Sequence, residues 1–149
     1  MTSLQLVHSA YSCMKQEKNK SEKLKPLLKL ARDAIESKFE DMEIYVDEDI
    51  KKKFSKKQSC FITLTEDNML RGCIGSLYAN QELWKDVVDN SINSAFHDPR
   101  FLPVSIEELD KLYRLAALRI WSLKEIIYNY QQNKDERRTN NDNGERISG

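Results

Sequence analysis

Residues Cys60–Leu77 read CFITLTEDNMLRGCIGSL. Phe61, Thr63 and Thr65 alternate with Ile62 and Leu64, the two-residue period of a strand. Glu66-Asp67-Asn68 is a polar break made of turn-favouring residues. Met69 and Leu70 then restart an apolar run into Arg71-Gly72-Cys73-Ile74-Gly75-Ser76, so the stretch reads as strand, turn and strand. Two of the chain's 4 glycines flank Cys73. Glycine inside a strand marks a bulge or a close approach by another backbone or a ligand.

This segment makes Cys73 the first candidate for chemistry. A reactive cysteine needs its thiolate, and therefore a nearby cation. Arg71, two residues earlier on the same strand face, is the candidate cation. Gly72 and Gly75 would leave peptide N–H groups free to bind a developing anion. No general base lies in the local sequence. His97, one of only 2 histidines, or an acidic residue would have to come from elsewhere in the chain. The competing reading makes RGCIG a packing device, with Cys73 a small buried hydrophobe.

Working outward, Leu24 to Phe39 places Leu27, Leu28, Leu30, Ala31, Ala34 and Ile35 at helical spacing, with Pro26 in the first turn. Glu40 to Asp49 is acidic and reads as a linker or short strand. Lys51 to Lys57 reads as a basic, solvated turn around Phe54 rather than a phosphate-binding patch. Gln81 to Phe96 is helical in period, with Asn80 a candidate N-cap, and must end before Pro99. Asp98-Pro99-Arg100 is a turn able to fix an aspartate–arginine pair, which would either staple the turn or orient a substrate carboxylate. Ser105-Ile106-Glu107-Glu108 is a capping box and predicts a helix through Leu112. From Tyr113 to Trp121 the pattern fits helix or strand, with a lean to strand at Leu118, Ile120 and Ser122.

The order of these segments resembles the AMMECR domain family. Leu70–Ser76 is similar to that family's LRGCIG hallmark, and Leu27–Ile35 to its first helix. Phe61–Leu64 resembles the strand before the hallmark, and Ala95–Phe101 with Pro103-Val104 its DPRFPPV segment. The resemblance implies an α+β fold, a mostly antiparallel sheet with helices packed against it. It implies partners too: in bacteria and archaea such proteins are associated with a Memo-family protein and a radical-SAM enzyme. The expected site is then Cys73 and Arg71 as catalytic candidates, with Gly72, Gly75, Ser76, Asp98 and Arg100 for binding. The function expected is that of a cytosolic enzyme or accessory protein acting with those partners. The alternative is a non-catalytic protein- or nucleic-acid-binding module. His97 does not match the family pattern and is expected to be a surface residue.

The remaining expectations concern the whole chain. Its 149 residues suit one domain, with residues 1–23 an arm and 24–149 the domain. Beyond Tyr113 the likeness weakens. Glu136–Thr139 stands where a strand is expected, and Asp142–Gly149 resembles a hairpin. A domain incomplete at its C-terminal end would expose a sheet edge, and marginal stability or a homodimer through that edge is expected. Net charge is zero, from 24 basic and 24 acidic residues, which gives no electrostatic case for nucleic acid. Nothing reads as a signal peptide or membrane span. The 3 cysteines lack disulfide or metal spacing, and Cys13 reads as incidental; this fits a reducing cytoplasm. GCIG is neither GxGxxG nor a P-loop, so no cofactor is expected.

Overall fold

The computed structural model describes residues 21–115, 119–122, 124, 126–128 and 130–135. The N-terminal arm up to residue 20, Cys13, Glu136–Thr139 and the Asp142–Gly149 hairpin lie outside them. The order is α1 (Ser21–Phe39), α2 (Glu48–Lys53), β1 (Cys60–Glu66), β2 (Met69–Gly75), α3 (Leu83–Phe96), α4 (Ile106–Leu115) and β3 (Arg119–Ser122). Residues 124, 126–128 and 130–135 are also helical. The three strands form one antiparallel sheet in the order β2-β1-β3. The fold is α+β, as the resemblance implies.

The hairpin turns on two residues. Glu66 pairs with Met69, and Asp67 and Asn68 both take positive φ, 50° and 63°. That is the twist-matched geometry a two-residue loop needs, and Asp and Asn tolerate it best among non-glycine residues. Further along, Leu64 pairs with Gly72 but Thr65 pairs with Leu70. Arg71 is therefore the extra residue of a β-bulge, the device that re-aims a side chain out of strand alternation.

β1 is the central strand and is buried from Cys60 to Thr65. Cys60, Ile62 and Leu64 belong to the same core as Leu27, Leu30, Ala31, Ala34 and Ile35 of α1 and Val87, Val88 and Ala95 of α3. Phe39 and Phe96 close that layer edge to face, with ring centres 5.4 Å apart.

Two elements depart from the sequence reading. The segment read as linker or strand ends in α2, because the Asp47 carboxylate accepts from Asp49 N–H at 2.8 Å and caps it. Acidic residues then open the helix and lysines close it, matching the helix dipole. α3 starts at Leu83, three residues after Asn80. Residues 81–82 are held against 57–58 instead, and the first N–H groups of α3 donate to chain carbonyls, Leu83 to Lys56 and Trp84 to Phe54. Tyr113–Trp121 contains both candidate structures: α4 runs to Leu115 and β3 begins at Arg119. In addition, α1 begins at Ser21, so Pro26 falls inside the helix rather than in its first turn.

Candidate functional site

β2 is held by a polar line along α3. Asp86, Asn90 and Ser94 recur every four residues, and Asp98 continues the spacing past the helix end. All four are buried. Each reaches strand backbone. Asp86 accepts from Cys60 N–H at 2.7 Å, and Asn90 donates to the Cys60 carbonyl at 3.2 Å. The Ser94 hydroxyl accepts from Ile74 N–H at 3.0 Å and donates to the Ile62 carbonyl at 2.9 Å, so it ties both strands of the hairpin to the helix. Asp98 accepts from Cys73 N–H at 2.9 Å. Apolar periodicity does not detect these four residues. Their signal is D-x3-N-x3-S-x3-D on the face that should otherwise be apolar.

Gly72 is what lets α3 come this close. A Cβ at this position would lie inside 3.0 Å of the Ser94 carbonyl oxygen. Gly75 answers to a different neighbour: its Cβ would sit 2.5 Å from both Cδ atoms of Phe61. Ser76 joins neither. Its hydroxyl donates to Asp86 at 2.7 Å and accepts from Asn90 at 3.0 Å, at the far end of the polar line.

Cys73 pairs with Thr63 across the sheet, and its thiol contacts the Thr63 hydroxyl at 3.3 Å. The residue is fully buried. Burial pushes the thiol up to about 11; the Thr63 hydrogen bond and the Arg100 charge offset only part of the shift. The cation near Cys73 is thus Arg100 rather than Arg71. Arg100 donates to the Cys73 carbonyl at 3.1 Å and to Asp98 at 2.7 and 3.0 Å. The N–H groups of Cys73 and Ile74, which lie between the two glycines, are already taken by Asp98 and Ser94.

Arg71, displaced by the bulge, donates to both oxygens of Glu108 at 3.0 and 3.1 Å and to the Leu102 carbonyl at 2.9 Å. Glu108 is also half of the capping box: it accepts from Ser105 N–H at 2.8 Å, and its own N–H meets the Ser105 hydroxyl at 3.4 Å. Both guanidinium groups lie near the Phe101 ring, Arg71 at 5.8 Å and Arg100 at 5.5 Å from its centre. His97 is exposed and its Nδ1 lies 3.1 Å from Asn93 Oδ1. The expected site therefore resolves into two adjoining clusters, Cys73–Asp98–Arg100 and Arg71–Glu108–Phe101, with Ser76 apart from both.

These ion pairs make stability depend on pH. Burial pushes the Asp98 carboxyl up, but the hydrogen bonds from Arg100 and from Cys73 N–H, with the Arg100 charge, outweigh it and hold the group below its ordinary 3.8. Hydrogen bonding from Arg71 holds Glu108 below its ordinary 4.5 despite burial. A carboxyl depressed by folding stabilises above its unfolded pKa and loses that contribution as pH falls through its folded value. The melting temperature should therefore stay level from neutrality to about pH 5 and fall below it. In Arg71→Met the Glu108 share of that fall should shrink to what the Ser105 hydrogen bonds sustain. Equal acid slopes in the two proteins, by calorimetry, would contradict the assignment.

Among the described residues, no helix is long and apolar enough to cross a membrane, and no group of three His, Cys, Asp or Glu residues is placed to hold a metal. The family model for AMMECR1 matches residues 28–117. A protein of Aquifex aeolicus is 41% identical over 91 residues, covering 60% of this chain and 47% of its own length. One of Nanoarchaeum equitans is 39% identical over 87 residues, covering 58% and 48%. The crystal structure of an uncharacterized protein from Pyrococcus horikoshii is similar with a TM-score of 0.57 at 33% identity, covering 64% of this chain and 48% of that one. The chain spans about half the length of the curated relatives it matches. With the family match running through both β2 and the Asp98 turn, the chain belongs to the AMMECR1 family.

Proposed function

We propose that the chain is an accessory protein that works by docking to other proteins through the face around the hallmark. The setting proposed is the cytoplasm, where Cys60 and Cys73 remain free thiols. The partners proposed are the Memo-like and radical-SAM proteins that the family resemblance implies. One observation supports this reading above the others. The polar groups around Cys73 are committed internally, whereas the apolar side chains beside Arg71 are not. Leu102, whose carbonyl holds Arg71, is 83% exposed, with Ile106 at 60% and Met69 at 70%. Exposed apolar side chains held on a rigid, ion-paired frame suit a protein interface. A thiolate nucleophile is poorly served by the same surroundings.

The test is binding of the purified chain to the Memo-family and radical-SAM proteins of its own organism, by calorimetry. Leu102→Asp should weaken the complex about tenfold or more and leave the melting temperature unchanged, because the side chain is exposed. Absence of binding to both proteins, or wild-type affinity in the variant, would sink the proposal.

A further inference from the structure

Among the described residues only β1 pairs with β2, along one side, and an unpaired strand edge offers N–H and C=O groups to any extended chain. At Cys73 both outward groups are already occupied. Asp98 Oδ2 accepts from the N–H at 2.9 Å, and Arg100 Nη2 donates to the C=O at 3.1 Å. The two side chains are fastened to each other at 2.7 Å, and Asp98 also accepts from the Arg100 N–H at 3.1 Å, so the pair is preset. A residue on a neighbouring antiparallel strand offers its partner the same set, one acceptor beside one donor. The Asp98 carboxylate is only 1% exposed, too buried to act as a solubilising surface charge. Pro99, between them in sequence, has no N–H to extend a ladder.

We propose that Asp98 and Arg100 form an edge plug. They take the place of one strand residue and close β2 to strand addition by a second copy of this chain. An antiparallel β2–β2 pairing about Cys73 would be self-complementary, which is the contact a symmetric dimer needs. The plug forbids it.

The experiment combines hydrogen exchange at the Cys73 amide with light-scattering mass measured over a range of protein concentration. The wild-type amide should be protected. In Asp98→Ala its protection should fall about tenfold or more, and a self-association step should emerge at concentrations where the wild type shows none. Arg100→Met carries the same test should Asp98→Ala fail to fold. It frees the Cys73 carbonyl while leaving the Asp98 bond to the N–H, and should also increase self-association. A folded variant with a freed Cys73 group and the wild-type mass curve would overturn the proposal.

Discussion

Replacing Gly72 with alanine is expected to destabilise the protein by about 3 kcal/mol, the upper range for overpacking a core, and to lower its melting temperature by about 10 °C. The new methyl would collide with the Ser94 carbonyl oxygen, which is helix backbone and cannot rotate away. Relief requires sliding α3 off the hairpin, and that would pull the Ser94 hydroxyl away from Ile74 N–H and Ile62 C=O together. Gly75→Ala provides the contrast. Its methyl meets the Phe61 ring, which is side chain. Phe61→Leu should therefore recover part of the Gly75→Ala loss, whereas Ser94→Ala should recover none of the Gly72→Ala loss. Urea midpoints for these single and double variants check both statements. A Gly72→Ala protein as stable as wild type would remove the close approach of α3 from the account.

Asp86→Ala should cost about as much, roughly 3 to 4 kcal/mol, since each buried donor left unmet costs ~1–3 kcal/mol. Its carboxylate accepts from Cys60 N–H at 2.7 Å, from the Ser76 hydroxyl at 2.7 Å and from Asn90 Nδ2 at 3.0 Å, and Gln81 approaches to 3.3 Å. These four donors are all neutral, so hydrogen bonding rather than an ion pair holds the side chain in place. The thiol of Cys60 feels it: burial and the Asp86 charge together push that group well up. Asp86→Asn should recover only part of the loss, because its amide brings two N–H groups into a cluster of donors. An Asp86→Ala protein within 1 kcal/mol of wild type by chemical denaturation would show that the cluster is satisfied some other way.

The hairpin was legible in the sequence because strand period, turn residues and glycines agree over Cys60–Gly75. The same holds for the α1 face and for the Ser105–Glu108 capping box, where local chemistry and tertiary structure point the same way. What escaped was set by contacts between distant segments. The start of α3 follows from carbonyls of the lysine-rich segment, not from a local cap. The bulge at Arg71 breaks the strand alternation that would put its guanidinium beside the thiol, and sends it to Glu108. The polar line Asp86–Asn90–Ser94–Asp98 was spelled out at four-residue spacing. Reading a helix by its apolar residues alone passes over it, because each member is buried only through a strand group supplied from elsewhere.

Cys73 is a buried thiol of a packed frame rather than an exposed nucleophile. Its alkylation rate in the native protein, followed against pH by mass spectrometry, tests this most directly. Cys73 should stay protected across the neutral range and react only as the protein unfolds, at a rate that rises with urea. Fast native modification with an apparent pKa well under the ~8.5 of a free thiol would contradict it and return Cys73 to the position of a nucleophile.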